Sequence, residues 1–143
     1  MSMLGKKKTL RAGLIGLGMM GRHHARNLRA LEGVDLVAVA DAHGDPHGAA
    51  PGLEVLPDVE ALIAAGIDYA VVAVPTQFHR DVAIALAEAG VHTLVEKPLA
   101  FDIGEAEEIT AVFEKAGLVG AVGYIERYNP ALQEMRSRIA DGQ

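Results

Sequence analysis

Three glycines with the spacing G-x-G-x-x-G, at Gly16, Gly18 and Gly21, are the residues of this sequence whose chemistry is easiest to infer. They follow an apolar segment and precede a helical pattern, so they predict a strand, a tight turn and a helix in succession. In such a unit the first glycine permits the turn, the second lets the backbone approach a pyrophosphate, and the third allows the helix to pack closely on the strand. The amides at the start of the helix, including those of Met19 and Met20, are then expected to face the phosphates.

An acidic residue, Asp41, lies twenty residues after Gly21, at the end of the next apolar segment. In a dinucleotide-binding unit, a carboxylate at this point accepts hydrogen bonds from the hydroxyls of the adenosine ribose. Asp41 would also repel a 2′-phosphate, and residues 42–44 include no arginine to receive one. The pattern therefore favours NAD as the cofactor over NADP. A glycine-rich turn beside an unrelated acidic loop residue is the alternative interpretation.

Further motifs follow at intervals along the chain: Val74-Pro75-Thr76-Gln77-Phe78-His79, then Glu96-Lys97-Pro98, then Arg127-Tyr128-Asn129-Pro130. They resemble the successive motifs of the glucose-fructose oxidoreductase / inositol dehydrogenase / rhizopine catabolism protein (Gfo/Idh/MocA) family, over essentially the whole chain. The resemblance implies a nucleotide-binding domain followed by a second α/β domain on a mostly antiparallel sheet. That second domain, which contributes much of the substrate site and usually the oligomer interface, is absent from this sequence.

The resemblance assigns the main catalytic role to Lys97, which would contact both cofactor and substrate and help to move the proton as hydride leaves the carbinol carbon. A lysine at the carboxyl end of a strand can reach the crevice where ligands bind such sheets; a surface lysine paired with a neighbouring acid is the alternative. Glu96 would hydrogen-bond near the nicotinamide ribose or orient Lys97. Pro98 would fix the direction of the chain, in the family often through a cis bond.

The same family resemblance implies that four other residues lie near the cofactor. Val74, Pro75 and Thr76 would shape the cleft through backbone contacts, and His79 would lie close to the cofactor unless it is simply a histidine on the helix surface. Arg127 would reach the substrate cleft or anchor the second domain through an ion pair. For two further histidines, His23 and His24, packing or contacts within the first helical turn are favoured over a functional role.

Composition excludes several other classes of function. The chain has no cysteine, so disulfides, thiolate nucleophiles and cysteine-based metal sites are ruled out. His43 and His47 lack the partners and spacing typical of zinc, so no metal site is expected. A formal net charge of -6 argues against a nucleic-acid partner. No apolar run reaches the ~18 residues that span a bilayer, and the first nine residues make a poor secretory signal, so we expect a soluble cytoplasmic protein with no membrane partner.

The elements that position these residues alternate between strands and helices. This alternation predicts an α/β fold, a doubly wound parallel sheet of the Rossmann type with strand order 3-2-1-4-5-6. Gly16, Asp41, Pro75 and Lys97 would then all lie along one edge of the sheet. We expect strands at 10–16, 34–40, 53–56, 69–74, 91–95 and 118–122, helices at 19–31, 58–66, 77–89, 102–117 and from 129 onward, and a loop at 43–52.

The chain is expected to divide into a tail (1–9), a dinucleotide-binding domain (10–124) and a connecting segment with a helix (125–143) leading towards the second domain. The full-length protein that includes the second domain, the parent of this chain, would oxidise a secondary alcohol of a sugar, nucleotide sugar or cyclic polyol and transfer hydride to NAD. Residues 123–130 resemble members acting on UDP-N-acetylhexosamines, with inositol and free-sugar dehydrogenases as competitors. This portion alone would bind cofactor but lack a finished active site, and the parent would be a homo-oligomer through its second domain. The alternatives are a non-catalytic NAD-binding sensor or partner module and a biliverdin-reductase-like, non-sugar reductase.

Overall fold

A computed structural model describes residues 8–143 of the chain. Residues 1–7, which make up most of the predicted tail, therefore lie outside the described residues. Strands and helices alternate in chain order: β1 (Leu10–Ile15), α1 (Gly21–Ala30), β2 (Val34–Ala40), β3 (Val55–Leu56), α2 (Val59–Ala64), β4 (Tyr69–Val72), α3 (His79–Glu88), β5 (His92–Val95), α4 (Ile103–Ala116), β6 (Gly120–Val122) and α5 (Pro130–Ala140).

The six strands form one sheet in the order β3-β2-β1-β4-β5-β6, and every neighbouring pair is parallel. The predicted fold class and strand order are therefore confirmed. The register aligns the ends of the central strands, because Ile15 lies beside Ala40 on one side and Val72 on the other, and Val72 lies beside Val95. The residues that follow these strands must therefore meet at a single edge of the sheet.

Apolar side chains on the two faces of the sheet form two separate buried clusters. One face packs against α2, α3 and α4, with Leu62, Leu86 and Phe113 among its buried residues. The other packs against α1 and the loop before β3, through Ala25, Leu28 and Ala50. Burial on both faces explains the near-continuous apolar runs of β1, β2 and β4, which carry almost no polar residue.

The helix ends follow the local signals in the sequence. Asp58 accepts a hydrogen bond from the amide of Ala61 at 2.9 Å, and Asp102 accepts one from the amide of Glu105 at 2.9 Å, as expected of N-cap residues. Gly117 adopts the left-handed conformation at φ 65° and ends α4. Asn129 caps α5, with Pro130 at its first turn.

Strands β4 and β6 are each two residues shorter than the predicted 69–74 and 118–122, and two other elements differ because of local hydrogen bonds. The third strand is limited to Val55–Leu56, because the amide of Leu53 donates to the carbonyl of Ala50 and so belongs to the preceding turn. The helix after β4 begins with a 3₁₀ turn at Thr76–Phe78, in which the amide of Phe78 donates to the carbonyl of Pro75, and the α-helix starts at His79. Both differences concern hydrogen bonds within turns, which residue periodicity does not register.

Candidate cofactor-binding and active site

The four residues expected along one edge do lie there. Gly16 follows β1, Asp41 follows β2, and Pro75 and Lys97 lie beyond the ends of β4 and β5. Because all six strands are parallel, these positions line the carboxyl edge, where ligands bind in open α/β sheets. The topology reverses direction between β1 and β4, and this crevice is the expected position of a dinucleotide.

The glycine loop has the close contacts that its spacing predicts. Gly16 has φ +95°, and a Cβ there would collide with the backbone of Ala73 and Val74. A Cβ at Gly21, the first residue of α1, would overlap the carbonyl oxygen of Gly16. At Gly18, by contrast, no described atom lies within 4 Å of the position a Cβ would take. Two glycines therefore allow the loop to close, while the third leaves room for a ligand to approach the backbone.

The start of α1 is suited to an anion. Its N-cap residue, Met20, makes no side-chain capping bond among the described residues, and no acidic residue occupies the first turn. Met19 and Met20 are both exposed beside the loop. Free amides and the positive end of the helix dipole therefore point into the crevice, which is the arrangement that binds phosphate. The residues fit the pyrophosphate of NAD.

Asp41 is held against the glycine loop. Its Oδ2 accepts a hydrogen bond from the amide of Leu17 at 2.7 Å, and its Oδ1 accepts one from the amide of His43 at 2.8 Å. These two bonds fix the carboxylate beside the pyrophosphate-binding loop, and a carboxylate oxygen retains a further lone pair for a ribose hydroxyl. The position of Asp41 therefore fits the ribose-binding acid that the sequence predicts.

His79 lies beneath the edge of the sheet, with 1% of its surface exposed. Its Nε2 is 2.9 Å from the carbonyl oxygen of Val74, and its Nδ1 is 2.9 Å from that of Pro98. The imidazole thus joins the loop after β4, which includes Pro75 and Thr76, to the turn after β5. The alternative of a histidine on the helix surface is therefore wrong, and a place close to the cofactor stays a prediction for His79.

Glu96 and Lys97, which follow β5, differ in their exposure to solvent. Glu96 is buried: its Oε1 lies 2.7 Å from Nε2 of His24, and its Oε2 accepts a hydrogen bond from the amide of Lys97 at 3.1 Å. The side chain of Lys97 is exposed at the crevice, and the Lys97–Pro98 peptide bond is cis, as the resemblance implies. Glu96 thus contacts His24 and the backbone amide of Lys97, and its two expected roles, at the nicotinamide ribose or in orienting Lys97, both stay predictions.

His24 is the residue of this site that sequence reasoning missed. The sequence predicts packing or contacts within the first helical turn for His24, and it does not predict the observed contact of its ring with a carboxylate 72 positions away. One signal was available, because His24 shares the inward-facing stripe of α1 with Leu28 at i, i+4 spacing. A polar residue on a buried stripe requires a partner, but the sequence alone does not identify Glu96 as that partner.

A cleft of about 530 Å³ opens on the far side of Lys97. Arg127 lines it, in agreement with one of the two positions expected for this residue. Arg136 of α5 contributes a third cation, and Glu126 is the acidic residue among the lining side chains. The remaining walls are formed by Gly123, Tyr124, Ile125, Leu132, Gln133 and Met135.

The described residues, 8–143, contain neither a candidate metal centre nor a candidate membrane-spanning helix. Within that range, no group of three or more histidine or acidic side chains is placed to hold a metal ion. No helix in the same range combines the length and apolar character needed to cross a bilayer.

Comparison with known proteins matches residues 10–124 to the Gfo/Idh/MocA model, described as an oxidoreductase family with an NAD-binding Rossmann fold. The UDP-N-acetylglucosamine 3-dehydrogenase of Acidithiobacillus ferrooxidans is 36% identical over 131 residues, which make up 89% of this chain and 41% of that protein. The NAD-dependent scyllo-inositol 2-dehydrogenase of Bacillus subtilis is 31% identical over 94% of this chain and 41% of its own length.

The crystal structure of scyllo-inositol dehydrogenase from Lactobacillus casei, with bound NAD(H) and scyllo-inositol, superposes with a TM-score of 0.84 at 26% identity and covers 94% of this chain and 42% of that one. The chain thus spans about two fifths of the length of these relatives. From the family match, the sheet order and the glycine loop together, this chain belongs to the Gfo/Idh/MocA oxidoreductase family and comprises its NAD-binding Rossmann domain.

Proposed function

We propose that this domain binds NAD along the carboxyl edge of its sheet and presents it to Lys97 for the oxidation of a secondary alcohol by the full-length protein. The observation that carries the proposal is the arrangement of that edge. A closed glycine loop and a fixed carboxylate, Asp41, lie after β1 and β2, and an exposed lysine lies after β5. Adenosine-side and nicotinamide-side residues are thereby separated along one crevice, as an extended dinucleotide requires.

In this proposal the domain supplies three functions. The amides at the start of α1 bind the pyrophosphate, and Asp41 accepts hydrogen bonds from the hydroxyls of the adenosine ribose. Lys97 takes part in transfer of the proton from the substrate hydroxyl. When bound, NAD supplies the hydride acceptor. Oxidation then divides the alcohol's two hydrogens, the carbinol hydrogen leaving as hydride and the hydroxyl hydrogen leaving as a proton.

For the substrate we favour a nucleotide sugar, the class to which UDP-N-acetylglucosamine belongs. Lys97, Arg127 and Arg136 line one cleft with a single acidic residue, Glu126, in a chain whose net charge is -6. A diphosphate is attracted by such a local excess of cations, whereas a neutral polyol such as inositol is not. The relative that oxidises UDP-N-acetylglucosamine supports this class, and the inositol-oxidising relatives supply the competing one.

Calorimetric titration of the full-length protein with NAD and NADP tests the cofactor assignment. We expect NAD to bind at least several-fold more tightly, because Asp41 repels the 2′-phosphate. The Asp41→Ala variant should lose most of this preference, whereas Asp35→Ala, a change of an exposed acid within β2, should retain it. A wild-type preference for NADP would contradict the role given to Asp41.

The reaction is tested by following NADH production with UDP-N-acetylglucosamine and with myo-inositol. We expect a higher kcat/KM for the nucleotide sugar. A preference for inositol would overturn the substrate class but leave the dehydrogenase function intact. Cofactor binding without turnover of any sugar, nucleotide sugar or polyol would favour the sensor module, and turnover of a tetrapyrrole would favour the non-sugar reductase.

We also propose that the full-length protein forms a homo-oligomer through its second domain and acts in the cytoplasm, where NAD is available. The first point is supported by the family resemblance alone. Light scattering of the full-length protein and of the 143-residue chain separates the two cases, because only the former should be oligomeric. Fractionation of cells expressing the full-length protein tests the second point.

A further inference from the structure

The buried carboxylate of Glu96 connects three elements of the fold at the carboxyl edge. It lies at the exit of β5, where its own amide donates to the carbonyl of Val72 at 2.9 Å and so extends the sheet. Its Oε1 is 2.7 Å from His24 of α1. Beyond β6, a Cβ on Gly123 would come within 3.2 Å of the carboxyl group. Glycine at 123 therefore leaves the space that Glu96 occupies.

Both members of the contact are withdrawn from water, with side-chain exposures of 16% for His24 and 6% for Glu96. A buried carboxylate needs polar partners, and Glu96 has two of them: the His24 ring at Oε1 and the Lys97 amide at Oε2. Buried polar pairs add little stability over apolar residues of the same shape, but they do fix direction. The pair is therefore better suited to setting an orientation than to stabilising the core.

The group oriented by this pair is Lys97. The second oxygen of Glu96 accepts the Lys97 amide at 3.1 Å, and the next residue, Pro98, is held through its carbonyl by His79 at 2.9 Å. At the other end, His24 lies in the first turn of α1, three residues after Gly21 of the pyrophosphate-binding loop. A short chain of contacts thus runs from the glycine loop, through His24 and Glu96, to the backbone of the exposed lysine.

We propose that His24 and Glu96 form a positioning pair that fixes Lys97 relative to the glycine loop, and that His24 thereby affects hydride transfer without touching the reacting atoms. The kinetic part of this inference rests on the function proposed above. The conformational part does not depend on it, since it concerns only the order of the turn after β5.

The test uses full-length protein carrying His24→Ala, His24→Gln or Glu96→Gln, with His23→Ala as the matched control. His23 is the adjacent residue in the same helical turn, but it is exposed. Loss of the pair should lower kcat by about 10-fold to 100-fold, in the range that small misplacements of reacting groups produce, with the KM for NAD changed by less than about 3-fold. His24→Gln should recover much of kcat, because the glutamine amide can donate to Oε1 of Glu96, and His23→Ala should resemble wild type.

Residue-resolved hydrogen exchange provides a readout besides activity. The amide of Lys97 should exchange about 10-fold faster or more in His24→Ala and Glu96→Gln, and at the wild-type rate in His23→Ala. Unchanged exchange at Lys97 in a folded His24→Ala protein would overturn the proposal, as would a fall in NAD affinity with kcat preserved. If His24→Ala does not fold, Glu96→Gln gives the same two measurements with the same criteria. Absence of turnover in the wild type would defeat the proposed function, yet the exchange result would still decide whether the pair orders Lys97.

Discussion

The two halves of the carboxyl edge are built in different ways. The half after β1 and β2 consists of backbone amides, three glycines and the short carboxylate of Asp41, joined by contacts between neighbouring turns. The half after β5 and β6 is built from the longer side chains of Glu96 and Lys97, and His24 reaches Glu96 from α1, a distant part of the sequence. The first half is complete within the residues described, whereas the second opens onto a cleft lined by exposed residues of α5.

In the proposed function, the half after β1 and β2 (the adenosine half) and the half after β5 and β6 (the nicotinamide half) recognise different parts of the cofactor. A pyrophosphate and a ribose are constant features of the cofactor, so a rigid backbone loop that is closed by its own packing is sufficient. A reacting carbon requires a proton-transfer group at a precise position, and that group must be supported by neighbouring side chains. The nicotinamide half therefore depends on tertiary contacts between distant segments of the chain, and variants there should change the kinetics.

Lys97 offers the largest expected effect. In the full-length protein, Lys97→Ala should lower kcat by ~10²–10⁴, or about 3–5 kcal/mol, with NAD affinity within a few-fold of wild type. Lys97→Arg should restore little, because a guanidinium does not give up its proton. Steady-state kinetics and NAD titration measure both quantities, and Lys115→Ala, a change of another exposed lysine on α4, serves as the control.

Two other outcomes would change the comparison. If Lys97→Ala keeps most of its kcat, the lysine only positions ligands and the proton-transfer group belongs to the second domain. If NAD affinity falls strongly while kcat is unchanged, Lys97 only binds the cofactor. The nicotinamide half would then serve in cofactor binding, as the adenosine half does.

Alanine substitutions at Gly21 and Gly18, each of which adds one methyl group, test the adenosine half. Gly21→Ala should reduce the free energy of unfolding by about 1–3 kcal/mol or more and abolish NAD binding, because its Cβ would overlap the Gly16 carbonyl oxygen. Gly18→Ala should change stability by less than about 0.5 kcal/mol, since no described atom lies within 4 Å of its Cβ, but should weaken NAD binding about 10-fold. Urea denaturation and calorimetric titration distinguish the two. Normal NAD affinity in Gly18→Ala would mean that the pyrophosphate lies elsewhere.

Much of the fold and of the adenosine half could be predicted from local sequence. The strand order follows from alternating elements and right-handed crossovers, and the functions of Gly16 and Gly21 follow from their spacing. The contacts of His24 with Glu96 and of His79 with two carbonyl groups could not be predicted, because each joins segments whose proximity only the folded sheet creates. Local rules also overestimated β3, since Leu53 uses its amide in a turn.

Helix α5 tests the boundary of the nicotinamide half. None of residues 130–140 is buried, and the apolar side chains of Met135 and Ile139 are exposed. An 11-residue helix with no buried residue is marginal in water, so its opening free energy in this chain should be below about 1 kcal/mol. Hydrogen exchange should therefore be fast over residues 130–141 and slow in α3, whose Ala83 and Leu86 are buried. Strong protection of α5 in a purely monomeric chain would instead indicate packing on its own domain.

Asp45, in the loop beside the adenosine half, offers the smallest expected effect. Its carboxylate accepts hydrogen bonds from the amides of Ala49 and Ala50, each at 2.8 Å, and so shapes the turn that buries Ala50. Partial burial acts to raise the pKa of Asp45, but these amide bonds, together with the amide and the charge of His47, outweigh it and hold the pKa below its ordinary value of 3.8.

A carboxyl group whose pKa is lower in the folded than in the unfolded state stabilises the fold above the unfolded-state pKa, and that contribution is lost as pH falls through the folded-state pKa. Asp45→Asn should therefore lower Tm slightly near neutral pH, and its difference from wild type should shrink as the pH falls below 3.8. Thermal melts of the two proteins across this range measure the effect, and a difference in Tm that stays constant at every pH would show that the Asp45 charge contributes nothing to the loop.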